Sequence, residues 1–412
     1  MFRIAKIAAV ALSLLFAVAT SARAADVVTP DDTARYLAGM QPSADSPLMP
    51  LTKEPAWQRH AKFLDDAFAQ LDQRQLSKIR VWADTNLATP RPTTMFYMFS
   101  GPDFLYANAF YSKASNYVFS ALESVGSVPD LMKLPHGAVG PALYSVERSL
   151  SSILNFSFFI TKHMKSDLHA SRQVNGTLPI LYVFLARSGK TIRNVELITL
   201  DDKGEVHAAG ENPGPNATQG VRVTFAEGDG EARTLYYFST DLSNTGVRSS
   251  GFLKFCDTLA PGESLIKSAS YLLHTESFAS VRNWLLANSS IIIQDDSGIP
   301  LASYGASQWK FFPFGRYLGP IGEFPGRYQA RYAELFARSQ PMDFGVGYRW
   351  RPNESNLLLS VRVPGSEQVS TETISPEPPP ARQLARRPPR LKRPHPAEPE
   401  QSPFAAFFSW SH

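Results

Sequence analysis

GVRVTFAEGDGEARTLYYFST, from Gly220 to Thr240, is the stretch on which the fold class rests. Two runs rich in β-branched and aromatic residues flank Gly228-Asp229-Gly230, the pattern of a β-hairpin. Immediately upstream, PILYVFLAR (Pro179 to Arg187) and TIRNVELITL (Thr191 to Leu200) flank Ser188-Gly189-Lys190 and predict a second hairpin. Two consecutive hairpins imply an antiparallel sheet.

Further upstream the period lengthens. Thr29-Pro30 has the form of an N-cap with proline at the first helical position, opening a short helix through Arg35 and Leu37. From Glu54 to about Asn86, Trp57, Ala61, Leu64, Phe68 and Leu71 recur at spacings of four and three, which predicts an amphipathic helix closed by Pro90 and Pro92. TMFYMFS (Thr94 to Ser100), FLYANAFY (Phe104 to Tyr111) and NYVFSALE (Asn116 to Glu123) read as extended segments. A helix is expected from Ser145 to about Lys165, with Leu150, Ile153, Leu154, Phe158 and Ile160 inward.

Downstream, a helix is expected from Pro261 to about Asn288, a strand at Ser289 to Ile293 and a helix from Arg327 to Arg338. Strands follow at DFGVGYRW (Asp343 to Trp350) and NLLLSVRV (Asn356 to Val363). Helices and strands mix without a βαβ rhythm, so the expected class is α+β, with antiparallel sheet and packed amphipathic helices. Residues 26–175 form a mostly helical part with short strands and 176–364 a β-rich part with helices. The two read as one continuous globular unit.

The ends differ in composition. Residues 1–25 have the three parts of a secretory signal peptide: Arg3 and Lys6, an apolar stretch from Ile7 to Val18, and Ala22-Arg23-Ala24 before the cleavage point. Removal leaves about 385 residues, with no cysteine at the new terminus to take a lipid and no transmembrane span. Cys256 is the single cysteine, so stability comes from a core rather than disulfides. The expected location is the bacterial periplasm or beyond. After Pro364 comes SPEPPPARQLARRPPRLKRPHPAEPEQSP, a disordered tail. Its basic run, from Arg382 to Arg393, and the final Phe404, Phe407, Phe408 and Trp410 suit weak peripheral attachment to an anionic membrane surface, although a solvated spacer is the plainer reading. A net charge of +4 and the absence of zinc-knuckle or RNP-like patterns exclude nucleic-acid binding.

No Walker A, GxSxG, HExxH, EF-hand or dinucleotide fingerprint occurs, so no cofactor is expected. Cys256, within GFLKFCDTL, reads as a small buried thiol. Ser264 to Lys267 matches S-x-x-K of penicillin-recognising enzymes, but the KTG and SDN triads are missing. On the expected helix, Lys267, Tyr271 and His274 share a face that could line a cleft. His163, Asp167 and His169 lack a defined third ligand on one face, so no metal site is assigned.

Gln294-Asp295-Asp296-Ser297-Gly298 follows an apolar run, so its carboxylates emerge at a strand end, where function concentrates. Consecutive extended residues point to opposite sides, so one of the two acids would need a partner such as Glu323 or Asp103. Beyond this segment, Trp309, Arg316 and Tyr317, and then Tyr348, Arg349 and Arg351, supply the flat rings and guanidinium forks that hold polyhydroxylated ligands. The preferred function is an exported cell-envelope binding or accessory protein, with an envelope glycan or anionic surface as its partner. The competing expectation is a hydrolase of glycan or peptidoglycan, using Asp295 or Asp296 with His274 or Glu323 as catalytic groups.

Overall fold

The computed structural model describes residues 27–87, 93–135, 137–159, 174–211, 213–305 and 307–365. The leader, Pro90 and Pro92, the His163, Asp167 and His169 group, and the tail after Gly365 lie outside the described residues.

Among the described residues ten strands form one sheet. They are β1 (Thr94–Met98), β2 (Asn116–Ala121), β3 (Thr191–Leu200), β4 (Val206–Ala208), β5 (Thr218–Ala226), β6 (Arg233–Ser239), β7 (Gly262–Ile266), β8 (Ser289–Gln294), β9 (Trp309–Gly315) and β10 (Asn356–Arg362). Their order is β4-β3-β5-β6-β2-β1-β7-β8-β10-β9. The combination of helices and sheet matches the α+β class, but the sheet is mixed, not antiparallel. β6, β2, β1, β7 and β8 run parallel to one another. Antiparallel pairs flank them on both sides.

The centre is parallel because both of its faces are covered, a condition that favours near-continuous apolar strands. All five residues of β1 are buried. Met95 and Tyr97 join one core while Phe96 and Met98 join the other. Tyr117 and Val118 of β2, Leu265 and Ile266 of β7, and Ile293 and Ile292 of β8 divide in the same way. One face is covered by α1 (Pro30–Leu37), α2 (Pro55–Leu71), α3 (Ser77–Asn86), α4 (Phe104–Phe110), α5 (Val139–Phe156) and α6 (Leu178–Arg187). The other carries α7 (Asn244–Ser249), α8 (Phe252–Leu259) and α9 (Ala279–Asn288). α10 (Ala330–Phe336) packs near the β9 edge.

Local chemistry explains where the elements begin and end. The Thr29 hydroxyl accepts the Asp32 amide at 3.0 Å, capping α1 ahead of Pro30. The helical period from Glu54 to Asn86 is realised as α2 and α3 joined by a π turn at Asp72–Leu76. The extra residue in that turn accompanies a buried Gln75, whose amide donates to the Trp350 carbonyl at 3.2 Å. α5 spans Val139–Phe156 instead of reaching Lys165; it stops at Ser157, which has a left-handed backbone, with Leu150, Ile153 and Leu154 buried as expected.

Four expectations are corrected. Phe104–Phe110 and Leu178–Arg187 are helices, so the hairpin placed at Pro179 to Leu200 does not form; β3 pairs with β5 and β4 instead. Every residue of the first helix, and all but the last of the second, is buried. A helix surrounded by protein shows no apolar stripe, and periodicity cannot distinguish it from a strand. The expected helix from Pro261 to Asn288 opens with β7, passes through two 3-10 turns at Leu272–His274 and Glu276–Phe278, and becomes α-helical only at Ala279. Asp343 to Trp350 is a loop with one isolated bridge, Val346 to Arg349, while β9 occupies an aromatic stretch in which no strand was expected. β9 is an edge strand, where its Pro313 is tolerated.

Gly262 permits the central parallel pairing, since a Cβ there would lie 2.4 Å from the Thr94 carbonyl and 2.6 Å from the Phe96 ring. Gly262→Ala is therefore expected to lower stability by about 1–3 kcal/mol through overpacking, measured as a shifted urea midpoint at unchanged slope.

Candidate functional site

β1 has β2 on one side and β7 on the other, and the chain reaches β7 only after completing β3 to β6. The connections leaving β1 therefore diverge from those leaving β7 at the carboxyl ends of the parallel strands, where open α/β sheets bind ligands. A cavity of about 230 Å³ lies at this point. Phe99, Ser100, Gly101 and Asp103 enter it from the end of β1, and Ala121, Leu122 and Glu123 from β2. Thr240, Asp241 and Leu242 follow β6; Lys267, Ser268, Ala269 and Ser270 follow β7. Phe158 and Phe159, just after α5, and Phe278 complete the aromatic wall.

A buried ion pair forms the polar part of the lining. Lys267 Nζ lies 2.8 Å from Asp103 Oδ2, with each side chain only 2% exposed. The same ammonium donates to the Ser157 carbonyl and sits 3.9 Å from the centroid of the Tyr106 ring, so all three of its protons have an acceptor or a π face. Asp103 also accepts the Tyr97 hydroxyl at 2.9 Å and caps α4 through the Tyr106 amide at 3.2 Å. Burial and the neighbouring Asp103 carboxylate push the Tyr97 phenol well above its ordinary range, so it remains a neutral donor.

Backbone strain concentrates around the cavity. Phe99 (φ 66°), Ser157 (81°), Ser268 (54°), Ser270 (50°) and Tyr271 (53°) are the only non-glycine residues with left-handed φ among the described residues. Three of them line the cavity, Ser157 holds Lys267 from behind and adjoins Phe158, and Tyr271 follows Ser270. Such conformations cost roughly 1–3 kcal/mol each and persist where the surroundings over-determine them. The Ser268 hydroxyl is buried and has no hydrogen-bond partner.

The two acids after β8 hold this strained segment. Asp295 accepts the Ser268 amide at 3.0 Å and both the amide and hydroxyl of Ser297, whose own oxygen takes the Ala269 amide at 2.8 Å. Asp296 accepts the Tyr271 hydroxyl at 2.6 Å and the Asn356 amide at 2.9 Å. The side chains thus point in different directions, as extended geometry requires, but neither faces solvent: the residues are 2% and 3% exposed. Burial raises both carboxyls, Asp295 to about 7 with Asp296 as the next cause, while hydrogen bonds from Tyr271 and Asn356 oppose the rise in Asp296. Gly347 (φ 74°) closes over Asp295, because a Cβ there would fall 1.9 Å from Oδ2.

The other residues singled out in the sequence disperse. Of the expected ligand-binding set, Lys267 alone lines the cavity. Because β7 and its exit loop replace the expected helix, Lys267, Tyr271 and His274 do not share a helical face, and Ser264 of the S-x-x-K pattern bonds to Ser289 inside the sheet at 2.7 Å. Tyr271 stacks near-parallel to Tyr348 at 6.4 Å, and its ring lies 5.3 Å from His274. Burial, followed by the charge of Arg327, lowers His274 to about 4, so it is neutral at pH 7. Gln294 braces its own turn through both the amide and the carbonyl of Ile299. Arg349 binds the Gly319 and Pro320 carbonyls, and Arg362 covers the Trp309 ring at 4.5 Å. Tyr317 accepts the Gln329 amide, Arg316 is exposed, Arg351 pairs loosely with Glu354 at 3.6 Å, and Glu323 lies in the β9–α10 connection. Cys256 is buried, which raises its thiol well above the reactive range. At the β3–β4 turn, Asp201, Glu205 and His207 bring ligand atoms within 4.8 Å of one another. Asp201 there already accepts two backbone amides and faces the His207 ring.

No family model, curated protein or solved structure matches the chain.

Two outcomes follow from this geometry. Lys267→Met leaves Asp103 charged and buried and is expected to cost about 3–5 kcal/mol, whereas the double variant with Asp103→Leu recovers much of that loss in chemical denaturation. Asp295 has a raised folded-state pKa, so the folded form binds more protons than the unfolded form between about pH 4 and 7. Its contribution is complete below the unfolded value and is lost as pH rises through the folded one. The unfolding free energy should therefore be greater at pH 5 than at pH 8, and Asp295→Asn should flatten that difference.

Proposed function

We propose that the protein is an exported cell-envelope binding or accessory protein, and that its ligand occupies the cavity between the exits of β1 and β7. The observation that carries this reading is the confinement of every left-handed non-glycine backbone among the described residues to that cavity and its immediate supports. A chain that needed only stability would relax such residues; retaining them here fixes a wall shape. At about 30 Å³ of liquid per water, a cavity of ~230 Å³ displaces several waters and admits a compact ligand. The aromatic rings in the lining, together with the residues Ser100, Ser268 and Ser270, favour a molecule with an apolar face and a few hydroxyl or amide groups. A single ring unit of an envelope glycan has that character.

The hydrolytic alternative draws less support. Asp295 and Asp296 spend their oxygens on backbone and side-chain donors, and burial gives them an anchoring role. Envelope location rests on the leader sequence alone.

The test is to purify the mature protein from a periplasmic extract, confirm a terminus at Ala25 or Asp26, and identify bound small molecules by native mass spectrometry. A co-purifying ligand absent from Ala121→Trp, which fills the cavity, is the expected result. An empty wild-type protein that also binds no envelope sugar or fragment in calorimetry overturns the assignment. Hydrolysis of envelope polymer that disappears in Asp296→Asn would instead establish the competing activity.

A further inference from the structure

A group of metal-ligating side chains stands apart from the cavity, at the β3–β4 turn on the outer edge of the sheet. Asp201 directly follows β3, Glu205 precedes β4, and His207 is the middle residue of that strand. None of the three lines the cavity, and their ligand atoms all lie within 4.8 Å of one another.

The turn that carries them is fixed against α8. Gly251 (φ 64°), just ahead of that helix, approaches so closely that a Cβ there would fall 2.0 Å from the Asp201 carbonyl oxygen. Lys254 of the same helix donates to the Asp202 carbonyl at 2.8 Å.

The side chains are also aimed from behind. Asp201 Oδ1 accepts the Lys203 amide at 2.9 Å and the Glu205 amide at 2.8 Å, while Oδ2 faces His207 Nε2 at 3.2 Å. A tetrahedral ion with bonds of about 2.0–2.1 Å keeps its ligands roughly 3.3 Å apart, so this pair has the spacing of two ligands on one ion. The other ring nitrogen, Nδ1, faces Glu211 Oε2 at 3.3 Å. Glu211 lies outside the triad, and a carboxylate on the far nitrogen is the outer partner that sets the tautomer and orientation of a metal-ligating histidine. With Nδ1–H donated to Glu211, the Nε2 lone pair points at a carboxylate oxygen, two acceptors facing each other. Either a second proton or a cation must sit between them. The Glu205 carboxylate, which bonds to nothing else among the described residues, supplies the third ligand that favours a divalent ion.

From this arrangement we infer that the β3–β4 turn binds a divalent transition ion of the Zn²⁺ type through Asp201 Oδ2, the Glu205 carboxylate and His207 Nε2, with Glu211 behind the imidazole. One nitrogen and two carboxylates leave a fourth position for water. The imidazole discriminates against Mg²⁺ and Ca²⁺, which prefer oxygen ligands. The ion ties β4, the short outermost strand, to the end of β3. This site stands or falls independently of the ligand proposed for the cavity.

The test uses the full mature protein, stripped with a chelator and titrated with Zn²⁺ in calorimetry, with Mg²⁺ and Ca²⁺ as controls and Co²⁺ followed by visible absorption. One tightly held Zn²⁺ per chain is expected, with an intense Co²⁺ band of tetrahedral character and an affinity that falls as pH is lowered, because protons compete for the ligands. Glu211→Gln, which removes no ligand, should weaken Zn²⁺ binding by about tenfold to a hundredfold, and His207→Ala and Glu205→Gln by more. All three positions are partly or fully open to solvent, so the far-UV circular dichroism should not change. The assignment is overturned if Zn²⁺ does not bind, if Mg²⁺ binds as tightly, or if His207→Ala binds Zn²⁺ undiminished, which would place the ion elsewhere on the chain.

Discussion

Three parts of the molecule meet at the ammonium of Lys267. The chain leaving β1 offers Asp103, the end of α5 offers the Ser157 carbonyl, and α4 offers the face of Tyr106. Each of those partners is tied further back. Tyr106 donates its hydroxyl to Gln75 in the π turn, Gln75 reaches the Trp350 carbonyl, and Ser157 donates to the Gly347 carbonyl at 3.0 Å. A charge so deeply buried is tolerable only when every proton has a destination, which leaves these segments little freedom to move relative to one another. The cavity thus acquires a rigid floor from polar bonding, while its walls mix aromatic rings with serine hydroxyls.

The acids after β8 work on the opposite side of the same loop. Asp295 fixes the Ser268 amide and Asp296 fixes the Tyr271 hydroxyl, so the left-handed segment from Ser268 to Tyr271 is clamped at both ends. Its strain is compensated by the hydrogen bonds that these two carboxyls accept in a dry setting. The protonation of Asp295 is consequently linked to the shape of a wall it does not itself line.

The sequence carried the elements whose period was interrupted by solvent, and misled at two helices that solvent hardly reaches. The helix through Trp57, Leu64 and Phe68 was legible because its outer face is polar, and the β5–β6 hairpin because its turn is Gly228-Asp229-Gly230. FLYANAF and LPILYVFLAR gave no such contrast, since protein surrounds them on all sides. Parallel pairing was illegible for a related reason: β1 finds β7 through contacts remote in sequence, and no local turn records them. At the site, Gln294 does end a strand, but the acids that follow are buried and hold the segment that lines the cavity. Asp103 had a readable signal in Ser100-Gly101-Pro102-Asp103, a strand exit running directly into a helix cap.

The strand order also constrains when the protein can become itself. Met95 takes its place beside Glu263, so the first strand laid down in the chain lacks one of its two neighbours until the seventh exists. During synthesis from the amino end, the edge of β1 that β7 will pair and the face that α7 to α9 will cover must wait exposed. Contacts of such long sequence separation fold slowly and leave strand edges open to intermolecular pairing. A chain with this topology gains from being shielded until most of its length has been made.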